Sequence, residues 1–173
     1  MTTAAAYLNQ ATLKFRLSFT VGPDLEGTLQ RTSGTSMVES TYYHGQPEPK
    51  GLHVGKYMHN NDPERQTINL LANMVLERLG CADDQYLNQI LAQVTGGDIQ
   101  LVTDKGPCHS CRDILKQFLR DFPMLGSFVV IYRKKDGRGQ PVRALEAAGG
   151  NLCGSYGYED AVEVNGSWSK TLR

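Results

Sequence analysis

A chain of 173 residues has room for one domain of ordinary size and not for two comfortable ones. Eighteen Lys and Arg balance eighteen Asp and Glu, which excludes a protein that binds nucleic acid through bulk positive charge. Hydrophobic content of 40% excludes wholesale disorder, and the longest apolar run, residues 128–132, is far too short to cross a bilayer.

In chain order, Leu13, Phe15, Leu17 and Phe19 alternate with polar residues, the period of a half-buried strand. Gly22-Pro23-Asp24 is a turn, and residues 28–30 are expected to return as the partner strand. Residues 36–43 form a second β-like stretch, followed by a Gly- and Pro-bearing loop over 44–57. The first strong helix runs from Pro63 to about Leu79, with Asp62 at the N-cap, Pro63 at N1 and Gly80 as its stop. Its apolar stripe is Ile68, Leu71, Ala72, Val75 and Leu79, and Glu64 lies on the same stripe. A shorter amphipathic helix covers 84–94, and Gly96-Gly97 is expected to break the chain. Residues 98–103 alternate like a strand. Pro107 opens a third helix with Cys111, Ile114, Leu115, Phe118 and Phe122 on one stripe, and Pro123 stops it. The run 127–132 reads as a strand buried on both faces. The strand–helix–strand unit over 98–132 predicts parallel pairing by a right-handed crossover. The expected fold is α/β, a three-layer α/β/α sandwich around a mixed sheet. It forms a single domain with its core over about 12–134 and an irregular tail over 137–173, in which residues 158–168 can hold a last strand or hairpin.

Four cysteines are present, and the N-terminal residues lack the basic and long apolar regions of a signal peptide. The expectation is a protein acting in the cytoplasm, without disulfides. Cys108 and Cys111, in Pro107-Cys108-His109-Ser110-Cys111, lie one turn apart at a helix N-terminus directly after a strand. Both sulfurs can reach one metal ion there, and the helix dipole favours thiolates. Zinc suits such a pair but needs further ligands. A redox dithiol and two structural cysteines on an apolar helix face are the competing readings. Upstream, Asp62-Pro63-Glu64 opens another helix. Asp62 can be a simple N-cap, yet Glu64 on the apolar stripe points inward, and a buried carboxylate needs a partner or a task.

Taken together, D-x-E at one helix start and P-C-x-x-C at a later one resemble the H-x-E and P-C-x-x-C pattern of the zinc-dependent cytidine deaminase superfamily. The stretch from Gly106 to Pro123, a P-C-x-S-C followed by a helix ending in F-P, looks like the deaminase domains of bacterial polymorphic toxins. The resemblance covers residues 60–132 and hardly touches the tail. It implies that Cys108, Cys111 and Asp62, which stands in the usual histidine position, ligate zinc. It also implies that Glu64 moves the proton during hydrolysis of cytosine to uracil or of adenine to hypoxanthine. The departure is Asp62, whose carboxylate is a harder, anionic ligand than imidazole. His59, just before the first helix, is an alternative or assisting ligand. Tyr42, Tyr43, His44 and Tyr57 are candidates to line a pocket mouth and stack on a base, and His109 lies between the cysteines.

Charge is uneven: residues 105–143 hold nine Lys or Arg, among them Lys105, Arg112, Lys116, Arg120 and Arg133, against three acidic residues. Beside a metal site such a strip suits a polynucleotide strand, although a solvated helix face gives the same pattern. The expected substrate is cytosine in single-stranded DNA or RNA, with a toxin role and therefore a cognate immunity protein as a possible partner, and no membrane. Deamination of free nucleosides, nucleotides or bases is the alternative within enzymes. A zinc-stabilised binding domain without catalysis is the alternative of another class.

Overall fold

The computed structural model describes residues 9–33, 43, 62–134 and 157–173, with the backbone alone at His109 and Lys134. Six strands form one mixed sheet in the order β2-β1-β3-β4-β6-β5. The strands are β1 (Gln10–Phe19), β2 (Leu25–Thr32), β3 (Val94–Lys105), β4 (Ser127–Lys134), β5 (Val162–Val164) and β6 (Ser167–Leu172). The helices are α1 (Pro63–Leu79), α2 (Tyr86–Gln93) and α3 (His109–Asp121). The hairpin β1–β2 is antiparallel, with Leu13 opposite Leu29. Strands β3 and β4 are parallel, with Leu101 beside Val130, as the crossover predicts.

Period-two patterning decides which way the sheet faces. Ala11, Leu13, Phe15, Leu17 and Phe19 are buried, and so are their neighbours Ile99, Leu101, Phe128, Val130 and Tyr132. All belong to one core with Ile68, Leu71 and Val75 of α1, Ile90 of α2, and Ile114, Leu115 and Phe118 of α3. The three helices thus share one face, with α1 packed against α2 and α3. Phe118 lies at the centre, stacked on Phe122 with ring centroids 4.4 Å apart and edge-on to Phe128 at 6.1 Å. Among the described residues the helices make one layer, so the expected third layer is not seen. The opposite face carries the exposed Lys14 and Arg16. Val129 and Ile131 on that face are only half-buried, so β4 is not covered on both sides as its apolar run suggests. That run cannot distinguish shielding by neighbouring strands from a covering helix.

Helix α1 begins and ends where its capping residues predict, and Gly80 closes it at φ 61° with its N–H bonded to the carbonyls of Leu76 and Glu77. The shorter helix starts later than expected, because residues Asp83–Gln85 form a 3-10 turn ahead of α2. Gly96 and Gly97 do not break the chain. Both lie inside β3, where a Cβ on Gly97 would stand 2.3 Å from the Arg16 carbonyl oxygen. Glycine there permits β1 and β3 to approach, beside an irregularity in their register at Ser18 and Phe19. The tail is also more regular than expected: β6 pairs with β4 and β5 with β6, so the sheet extends well past residue 134. The β-like stretch over 36–42 and the loop over 44–57 lie outside the described residues.

Candidate metal centre

The crossover unit places the site. Strand β3 ends at Lys105, and Gly106-Pro107-Cys108 turns the chain into α3 at the carboxyl end of a parallel strand, where α/β sheets commonly bind ligands. Cys108 is the N-cap of α3, and its Sγ accepts from the Cys111 N–H at 3.5 Å. Position i+3 brings the Cys111 sulfur to the same side. The N-terminus of α1 arrives from the other direction. Asp62 occupies its N-cap position but makes no side-chain capping bond. Its Oδ2 instead lies 3.5 Å from Cys108 Sγ and 3.3 Å from Cys111 Sγ. The capping explanation of Asp62 therefore does not account for its side chain.

Asp62, Cys108 and Cys111 are all buried, and their three ligand atoms lie within 4.8 Å of one another. Two tetrahedral zinc ligands, one thiolate and one carboxylate, stand about 3.6 Å apart when the bonds are ~2.3 and ~2.1 Å. The two observed sulfur–oxygen separations match that edge. The donor set fits a metal on chemical grounds as well. In the metal-free protein the Cys111 thiol is pushed well up, first by its hydrogen bond with Cys108, then by burial and by the carboxylates of Asp62 and Glu64. Without metal this crowding is relieved by protonation, and a divalent ion could take the protons' place. Arg65, only 7% exposed, adds positive charge close by: burial lowers its pKa while Cys111 and Asp62 raise it.

Glu64 lies beside this group, with Oε2 3.8 Å from Cys111 Sγ and 2% of the residue exposed. Its Oε1 accepts from Thr103 Oγ1 at 2.7 Å and from Asn9 Nδ2 at 2.9 Å. Thr103 lies on β3, and Asn9 lies just ahead of β1. Asn9 also accepts from the Lys105 N–H at 3.1 Å, which ties it to the end of β3. Burial, and next the Asp62 carboxylate, raise the Glu64 pKa to about 7, against the lowering effect of the Thr103 hydrogen bond. One oxygen is thus anchored, while the other faces the cluster on a carboxyl group that changes protonation near neutral pH.

A third segment closes on the same place. Gly157 N–H donates to the Pro107 carbonyl at 2.8 Å, and Arg112 Nη1 donates to the Gly157 carbonyl at 2.5 Å. Tyr158 N–H donates to Tyr132 Oη at 3.0 Å. Gly157 has φ 72°, and a Cβ there would meet Tyr132 Oη at 2.6 Å. The residue pair 157–158 therefore straps the turn that carries Cys108.

Among the candidate residues, the structure brings together Asp62, Glu64, Cys108 and Cys111. Tyr43 it places elsewhere, which corrects its expected position at a pocket mouth. The side chain is 1% exposed, its Oη donates to Asp121 at 2.9 Å and lies 3.3 Å from Tyr86 Oη, and its ring packs on Phe118. Asn69 holds its backbone from both sides, accepting from the Tyr43 N–H and donating to its carbonyl. Tyr43 is a core residue near the far end of α3. Tyr42, His44, Tyr57 and His59 lie outside the described residues, as does the His109 side chain. Sequence reasoning missed Asn9, Thr103, Arg65 and the strap at Gly157 and Tyr158. Period two offered a signal for two of them: Asn9 continues the inward series of Ala11 and Leu13, and Thr103 continues that of Ile99 and Leu101. The chain matches no protein-family model, no curated protein and no solved structure.

Proposed function

We propose that the protein is a zinc-dependent hydrolytic deaminase of the cytidine deaminase-like kind, converting cytosine to uracil in single-stranded nucleic acid. The observation that carries this reading is the convergence of Asp62, Cys108 and Cys111 with Glu64 beside them, from two helix N-termini 44 residues apart in sequence. Zinc held by the aspartate and the two cysteines would supply Lewis acidity and lower the pKa of a water. The remaining chemistry belongs to the chain. Glu64 Oε2 takes one proton of the attacking water and gives it to the ring nitrogen, then takes the second proton from the same oxygen and gives it to the amine as the C–N bond breaks. Asn9 and Thr103 hold Oε1, so the carboxyl group pivots little while its proton moves. A pKa near neutrality suits a group that must both accept and donate.

The attacking sulfur of the competing dithiol needs positive charge beside it, whereas both sulfurs here face the Asp62 carboxylate. Incubation of the purified, zinc-loaded protein with single-stranded DNA, RNA and free cytidine, scored for uracil, tests the proposal. The expected result is uracil from the wild type and a loss of at least about a hundredfold in Glu64→Ala. Wild type and Glu64→Ala behaving alike on all three substrates would return the chain to a metal-stabilised binding domain.

A further inference from the structure

A groove of about 1420 Å³ runs along α3 on the side of β6 and β5, outside the metal centre. Five cations line it, Arg112, Lys116 and Arg120 from α3 and Lys170 and Arg173 from the facing wall, against the single carboxylate of Asp160. Asp160 is already paired with Lys170. Lys116, Arg120 and Arg173 are exposed, and among the described residues none of them has an ion-pair partner. On the helix the cations recur every fourth residue, so they stand in one row roughly 6 Å apart. The row starts at Arg112, the residue after Cys111, and ends at Arg120 in the last turn. The same groove has apolar walls: half-buried Leu119 and Leu125 on the helix side, and Leu172 of β6, opposite Phe128, on the strand side. Tyr158 lines its end nearest the metal centre.

We propose that this groove is the track of a single-stranded polynucleotide, with successive phosphates on the Arg112, Lys116 and Arg120 row and bases against the apolar walls. A row of cations at regular spacing beside apolar surface is what a strand of alternating phosphates and flat bases requires. A free nucleotide would use one cation of the row and leave the others idle. An acidic protein would match the charge, but it has no need of the regular spacing. The inference rests on the deaminase reading for the base delivered at the Arg112 end; binding along the groove does not depend on it.

The test uses fluorescently labelled oligothymidylate, which carries no amino base, so deamination plays no part in the readout. Anisotropy titrations of the full chain should show binding that weakens steeply with salt. Lys116→Glu with Arg120→Glu should weaken it at least tenfold and flatten the salt dependence, while Lys14→Glu with Arg16→Glu on the opposite sheet face should change it less than twofold. Lys116→Gln with Arg120→Gln, the gentler pair, should fall between, with zinc content and circular dichroism unchanged in all. No binding at low salt, or equal weakening by both charge-reversed pairs, overturns the groove. Poly-glutamate competing as well as a polynucleotide of equal charge overturns it too and gives the groove to an acidic protein. A chain that forms no uracil yet binds oligothymidylate through the row defeats the enzymatic reading and leaves the groove standing.

Discussion

The two oxygens of Glu64 sit in different surroundings, and that difference sets its behaviour. Oε1 accepts two hydrogen bonds, and Oε2 faces Cys111. Burial lifts the group from 4.5 to about 7, so between those values the folded, metal-free protein holds a proton that the unfolded chain has released. Stability of the metal-free protein therefore falls as pH rises through that window, by on the order of 1–3 kcal/mol. Thermal melts in chelator at pH 5 and pH 7.5 should show that loss, and Glu64→Gln, which keeps an acceptor for Asn9 and Thr103, should remove it. Thr103 acts on the same group in the opposite direction. Its hydroxyl favours the ionised carboxyl, so Thr103→Val should raise the Glu64 pKa further. The low-pH limb of the activity profile then moves to higher pH, and stability drops by about 1–2 kcal/mol, while zinc content stays at wild-type level.

At the scale of elements, the site is a meeting of helix starts held against strand ends. The helix starts were legible because capping chemistry is local: Asp62-Pro63, Gly80, Pro107 and Pro123 mark the limits of α1 and α3. The inward direction of Glu64 was legible from its stripe. What Asp62 does was not, since an N-cap aspartate and a ligand aspartate occupy the same position and only the partner helix distinguishes them. The strap was invisible for a related reason. Gly157 lies far along the chain from Pro107, and its left-handed backbone matters only because Tyr132 stands where a Cβ would go. Gly157→Ala should accordingly cost about 1–3 kcal/mol in denaturant melts, out of proportion to a small residue next to a surface turn. Tyr43 shows the converse. An aromatic in a polar stretch suggests stacking on a ligand, and long-range contacts with Phe118, Tyr86 and Asp121 make it part of the core instead.

Across the whole molecule, zero net charge is a sum of unlike regions, and the basic share of the chain supplies the row on α3 beside the metal centre. The central sheet links these parts: β3 carries both Thr103 and the turn to Cys108, and β6 forms the far wall of the groove. Because the ligands come from the starts of α1 and α3, a bound ion ties these two helices to each other. Metal removal should therefore lower the thermal midpoint, and zinc affinity should fall as pH drops and the thiolates are protonated. X-ray absorption at the zinc edge of the loaded protein tests the centre most directly. The account predicts two sulfurs at ~2.3 Å and oxygen ligands at ~2.0–2.2 Å, with the oxygen shell diminished in Asp62→Ala. An imidazole shell, or a protein that takes up no zinc and cycles Cys108 and Cys111 through a disulfide, would contradict it.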